Sequence, residues 1–268
     1  MNVRRWAVAA FLVSGLAFGQ DQSTPPVPIS TNPADSPPRF KSGKVAASTD
    51  AALPPALGPR PAKVLVIVFS DFQCPVCRRS ADATDQIAEE FPGEVRVEFW
   101  QHALPSHGSA ENAAVASLAA QRQGMFWEYH DEVFRNQAAL DPTSLARYAE
   151  QVGLDMEQFN KDYADPDLRA RAKAEAAFAE QFGATSTPAF MINGKVHIGW
   201  GSWAGFRSDV ERELAEARKL EAQGIPVEQI AEQRANAVLE DAALFGAYRD
   251  HALRVPADEP KKKKKKKK

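Results

Sequence analysis

Cysteine is nearly absent from this chain: two residues, Cys74 and Cys77, stand among 268. One bridge between them would close too short a loop to restrain the unfolded chain much, which argues against a purely stabilising disulfide. Histidine is scarce as well. His102, His107, His130, His197 and His251 are the five histidines; the zinc reading is the weakest of the three for the cysteine pair, and neither metal nor cofactor is called for. The apolar run near the start, from Trp6 to Phe18, is 13 residues, too short for a membrane span, and no cysteine follows it directly to carry a lipid anchor. A folded basic face with interleaved aromatics is missing, so the sequence gives no support to nucleic-acid binding.

What is present centres on Phe69-Ser70-Asp71-Phe72-Gln73-Cys74-Pro75-Val76-Cys77. A buried strand ending at Phe69 delivers Cys74 to the start of a helix, and Pro75 suits the first helical turn, where its missing N–H costs nothing. Val76, Ser80, Thr84, Ile87 and Phe91 recur on one side of a helix expected from Cys74 to about Phe91. Cys74 then meets free N–H groups and the positive end of the helix dipole, which favour the thiolate, the reactive form. Lowering a thiol pKa by about two units takes roughly 2.7 kcal/mol. Cys74 reads as the attacking residue. Cys77, one turn further in and less exposed, reads as the resolving one.

Around this centre the chain divides into segments. Residues 1–19 read as a signal peptide, with Arg4 and Arg5 before the apolar run and small residues at Ala17 and Gly19. Residues 20–54 read as a proline-rich tether; ten of the 19 prolines lie between 20 and 62, and the stretch near Leu57-Gly58-Pro59 is where the tether meets the domain. The body, 55–222, opens as a β-α-β unit whose second strand is Val95-Arg96-Val97-Glu98-Phe99. A helical insert over about 104–182 follows, in which Phe126, His130 and Phe134 form a core-facing series. Thr187-Pro188 then leads into a hairpin turning at Asn193-Gly194, with a helix from Trp203 to Ala222. Residues 223–255 read as a helical extension, one helix beginning at Pro226 and reaching about Ala252. Residues 256–268 read as a disordered tail ending in eight lysines, Lys261 to Lys268. The 33 Lys and Arg include those eight against 35 Asp and Glu, so the tail is +8 and the remainder −10. A solvated tail is one reading and contact with an anionic surface the other.

This order resembles the DsbA-like thiol–disulfide oxidoreductases of bacterial cell envelopes, within the thioredoxin superfamily. The resemblance rests on the cysteine stretch, on Phe126-Trp127-Glu128-Tyr129-His130-Asp131 and on Thr187-Pro188-Ala189-Phe190-Met191-Ile192-Asn193-Gly194, and covers about 55–222. It implies an α/β thioredoxin fold with an inserted helical domain, extended at the C-terminus by helix. It also implies a cis Pro188 packed against the cysteine pair, with the Thr187 backbone turned towards Cys74 to receive a substrate strand. The implied activity is disulfide formation in cysteine-containing exported proteins, in the periplasm or another extracytoplasmic compartment, with a membrane quinone-linked oxidase for recycling. The alternatives are a disulfide reductase or isomerase, and a non-catalytic chaperone or adaptor. Isomerases of this kind are usually oligomers, and the tether has no heptads to assemble one. Two departures from the family stand out. Val68 occupies a position where an acidic residue is common, leaving water or Asp71 to manage the proton of Cys77. The dipeptide between the cysteines is Pro75-Val76, so no histidine charge adjoins the thiolate; Arg78 and Arg79 are candidate substitutes, and a weaker oxidant than the extreme members is expected.

Overall fold

The computed structural model describes residues 51–253. The expected signal peptide, all but the last few residues of the tether and the lysine tail lie outside the described residues. The first element is a two-residue strand, β1 (Ala56–Leu57), and the second is β2 (Val64–Ser70), buried at every position. A strand with apolar side chains pointing both ways must be covered on both faces. β2 lies parallel to β3 (Val95–Gln101), in register from Val64 opposite Val95 to Ser70 opposite Gln101. Between them run α1 (Pro75–Ser80) and α2 (Ala83–Glu90). After β3 come α3 (Ala110–Arg122), α4 (Phe126–Arg135), α5 (Pro142–Gln151), α6 (Met156–Tyr163) and α7 (Pro166–Gln181). Two more strands, β4 (Ala189–Ile192) and β5 (Lys195–Ile198), then complete an antiparallel edge, giving the order β1-β3-β2-β4-β5. The chain ends in α8 (Trp203–Ala222), α9 (Val227–Val238) and α10 (Ala242–Ala252).

Strand alternation sends Val64, Val66, Val68, Val97, Phe99 and Phe190 to one face, beneath α1, α2, the insert and α8. Leu65, Ile67, Phe69, Trp100 and Met191 go to the other, beneath α7 and the C-terminal helices. Burying each such side chain is worth about 1.5–3 kcal/mol. The second face explains why Arg96 and Glu98, spaced like outward residues of a half-exposed strand, are buried. Glu98 is fully enclosed and accepts hydrogen bonds from Arg60 (2.6 Å), Arg96 (2.8 Å) and the Trp100 indole (3.4 Å), so its charge is neutralised where it sits.

The structure departs from the sequence expectations at three places. The helix expected from Cys74 to Phe91 is two helices. Ser80 Oγ donates to the Cys77 carbonyl (3.1 Å), Thr84 Oγ1 to the Ala81 carbonyl (2.9 Å) and the Ala81 N–H to Arg78 (3.3 Å), local bonds that interrupt the regular ladder at Ala81-Asp82. The single helix expected from Pro226 to Ala252 is broken as well. Extended backbone at Leu239 ends α9, and Asp241 starts α10 by capping the N–H groups of Ala243 and Leu244. The third is β1, where Leu57 is buried and pairs with Val97, so the expected contact point of the tether is a sheet edge. The hairpin matches its signal: Asn193 (φ 42°) and Gly194 (φ 90°) both occupy the left-handed region that a tight two-residue turn requires.

Candidate active site

The loop between β2 and α1 is shaped by its own side chains. Asp71 Oδ1 accepts the Gln73 N–H (2.7 Å), and the Cys74 N–H bonds the Asp71 carbonyl (3.1 Å), a tight turn that an aspartate at the first position favours. The turn leaves Cys74 at the N-cap of α1 with extended backbone (φ −75°, ψ 120°) and Pro75 inside the first turn. Beneath it Phe72 packs against Phe99 (5.5 Å) and Phe134 (4.8 Å), and His130 completes this aromatic floor, edge-on to Phe72 and Phe99. The loop thus rests on the insert as well as on the sheet.

Both cysteines are unbonded thiols, and they differ in access: Cys74 retains 6% of its surface and Cys77 1%. The Cys74 thiol lies 3.3 Å from the carbonyl oxygen of Thr187, the residue before a cis Pro188. The thiol of Cys74 is pulled down to about 5, chiefly by a hydrogen bond from the Cys77 thiol, then by the Thr187 side chain and the main-chain N–H groups of Cys77 and Val76, with burial opposing. Burial first, and the neighbouring Cys74 second, push Cys77 far upward, although Asp71 donates its N–H to the Cys77 sulfur at 3.4 Å. One thiol is therefore ionised at neutral pH and its partner holds a proton. Val76 assists through its main chain, so a histidine between the cysteines is not the only source of stabilisation. Arg78 and Arg79 are exposed on α1.

The resemblance to solved structures follows this geometry. The family model described as Thioredoxin matches residues 51–212. The chain belongs to the thioredoxin family. A thioredoxin-like oxidoreductase from Silicibacter pomeroyi DSS-3 superposes with a TM-score of 0.55 at 28% identity, over 62% of this chain and 92% of that one. The thiol-disulfide exchange protein alpha-DsbA2 from Wolbachia pipientis gives a TM-score of 0.55 at 17% identity, over 61% of this chain and 88% of that one, a likeness of fold. In sequence, a protein named Na(+)/H(+) antiporter NhaA 3, from Salinispora tropica, is 37% identical over 145 residues, 53% of this chain and 22% of that protein. The chain thus spans about a fifth of the length of such curated relatives, and the match lies in the thioredoxin-like part. Thiol–disulfide oxidoreductase chemistry is what this thioredoxin family membership and this site support.

Within the thioredoxin-family site, the structure brings Cys74, Cys77, Pro75, Val76, Asp71 and Thr187 together with Pro188. Asp71 takes a different part from the expected one. Its carboxylate accepts the Leu104 N–H (2.8 Å) and meets His107 Nδ1 (2.8 Å), so it ties the loop to the start of the insert and reaches Cys77 only through its N–H. Among the described residues no three His, Cys, Asp or Glu side chains gather as a metal site. Two glutamines, one in the loop and one in the insert, tie the two together, and the sequence signals neither contact. Gln73 Oε1 accepts the Ser109 N–H (2.8 Å), and Gln137 reaches the carbonyls of Phe72 and Cys74. No spacing rule signals such contacts, because Gln137 lies 63 residues from Cys74.

Proposed function

We propose that this protein is an extracytoplasmic oxidant that forms disulfides in exported proteins. The observation that carries the direction is the split between the two thiols. A stable Cys74 thiolate stabilises the reduced pair and is a good leaving group, so the oxidised pair gives up its disulfide readily. A substrate thiolate attacks the Cys74 sulfur, a mixed disulfide forms, and Cys77 leaves and takes up a proton. A second substrate thiolate then attacks the substrate sulfur of the mixed disulfide and expels the Cys74 thiolate. The substrate has lost two electrons and the protein has gained them. Return to the disulfide needs a two-electron acceptor, and a membrane quinone-linked oxidase has that chemistry.

Geometry supports a polypeptide substrate. Among the described residues no acceptor receives the Thr187 N–H, and this residue's carbonyl already faces Cys74. An extended segment pairing there would be held through main-chain bonds, which accommodate many sequences. The test is to mix the oxidised protein with a reduced, unfolded substrate without other oxidant. Disulfides should form in the substrate up to one per protein; in a second arm, with glutathione disulfide supplied as the oxidant, Cys77→Ser should accumulate mixed disulfides with the substrate that Cys74→Ser does not. A substrate that stays reduced, with insulin reduced efficiently by the dithiol form, would favour the reductase reading; equal trapping by both variants would remove the assignment of roles.

A further inference from the structure

The turn after α4 is built as a rigid arm that ends on the redox loop. Asn136 Nδ2 donates back to the Glu132 carbonyl (2.9 Å) and side chain (2.6 Å), while Glu132 is paired with Arg135. Tyr148 on α5 donates its hydroxyl to the Ala139 carbonyl (2.9 Å), and Leu140 beyond it is buried. Gln137 projects from this pinned turn. Its Nε2 donates one hydrogen to the Phe72 carbonyl (2.7 Å) and the other to the Cys74 carbonyl (2.8 Å). Both partners are acceptors, so only the nitrogen end of the amide can face them.

Those two carbonyls bracket the attacking cysteine. Left unheld, the Phe72–Gln73 peptide before Cys74 and the Cys74–Pro75 peptide after it could turn, and a carbonyl oxygen swinging towards the sulfur would oppose a thiolate. Such a turn would also move the sulfur off the N–H groups of Val76 and Cys77. We propose that Gln137 is a positioning residue for thiol–disulfide exchange: its amide fixes the carbonyls of Phe72 and Cys74 and thereby holds the Cys74 sulfur over the start of α1. The helical insert then has a defined share in the chemistry. Asp71, tied to Leu104 and His107, and Gln73, tied to Ser109, hold the entry to the turn, and Gln137 holds its exit.

The proposal rests on Cys74 being the reactive thiol of the proposed oxidant, and its test can fail separately from that reading. Gln137→Met keeps the length and apolar body of the side chain without a donor; Gln137→Lys returns a nitrogen donor at similar reach. The full-length dithiol protein is titrated by the ultraviolet absorbance of its thiolate, and thermal unfolding is recorded alongside. Gln137→Met should raise the Cys74 midpoint by about 0.5–1 unit, a loss of about three- to tenfold in thiolate at pH below both midpoints. It should shift the equilibrium with glutathione by a similar factor towards the oxidised protein, and Gln137→Lys should recover most of both. A merely structural role would lower the unfolding temperature and leave the thiol midpoint in place. A Met variant within about 0.2 unit of wild type, or a Lys variant no better than Met, overturns the positioning role even if substrate oxidation proceeds. A wild type that titrates as proposed and forms no substrate disulfides refutes the function and leaves the positioning role standing.

Discussion

Cys74 and Cys77 are the same chemical group three residues apart, and their surroundings separate them. Cys74 is the less enclosed of the two, at a helix start with donors directed at it; Cys77 is enclosed, and enclosure disfavours its charge. Thr187 adds to the first environment from across the fold. Its hydroxyl is buried and unbonded while Cys74 holds its proton, which leaves the O–H free to turn to the sulfur once Cys74 ionises, and its side chain thereby lowers the Cys74 thiol. Thr187→Val keeps the shape and removes the hydroxyl, so the thiolate midpoint of Cys74 should rise by about 0.3–1 unit; an unchanged midpoint in a pH titration would show that the Cys77 thiol and the main chain hold the thiolate without it. The sequence made part of this legible. A cysteine followed by proline after an apolar strand places the attacking thiol at a helix start from local rules alone. The Thr187 contact spans 113 residues and the Gln137 contact 63, and such partners become neighbours only when the sheet and insert close.

At the scale of elements, the strands and most of the helices announce themselves, because strand burial and helix caps are local. Asp141, Asp155 and Asp165 each accept an N–H at the start of α5, α6 and α7, as their positions suggest. Asp155 and Gln158 stand at capping-box spacing, but the box is shared differently: Gln158 turns to Asp162, and Gln123 accepts the Asp155 N–H instead. The break at Ala81-Asp82 was hidden because residues on both sides of it keep to the buried face. The hairpin shows one residue carrying local and distant duties together. Asn193 adopts the left-handed turn conformation, accepts the Leu65 N–H (2.8 Å), and donates to the Lys63 carbonyl (3.1 Å) and to Glu213 (3.0 Å). Asn193→Ala would leave a buried N–H of β2 unpaired and put a residue with a Cβ and no compensating bond at positive φ. Chemical denaturation should show a loss of about 2–4 kcal/mol. A loss under about 0.5 kcal/mol would mean that the ladder between β4 and β2, and not these bonds, holds the two strands together.

At the scale of the whole molecule, the sheet is covered on both faces, and the two covers have different work. The insert and α8 complete the face that carries the cysteines, while α7 and the C-terminal helices close the other, where Tyr248 is fully buried and Gly194 faces Leu239 closely. The family model reaches 212, so α9 and α10 lie beyond the region it matches. Arg234 ties this extension to α8 through both oxygens of Glu213, at 2.7 and 3.0 Å, and Glu213 also bonds Asn193, so the extension is continuous with the hairpin that follows Thr187. All of this scaffolding presents one acidic thiol and hides its partner. The direct measurement is the rate of alkylation of each cysteine in the full-length dithiol protein as a function of pH, resolved by peptide mass. Cys74 should be modified with a midpoint near pH 5 and at full rate by neutral pH, while Cys77 stays unmodified throughout. A Cys74 midpoint near the ordinary thiol value of 9.0, or equal modification of the two cysteines, would contradict it.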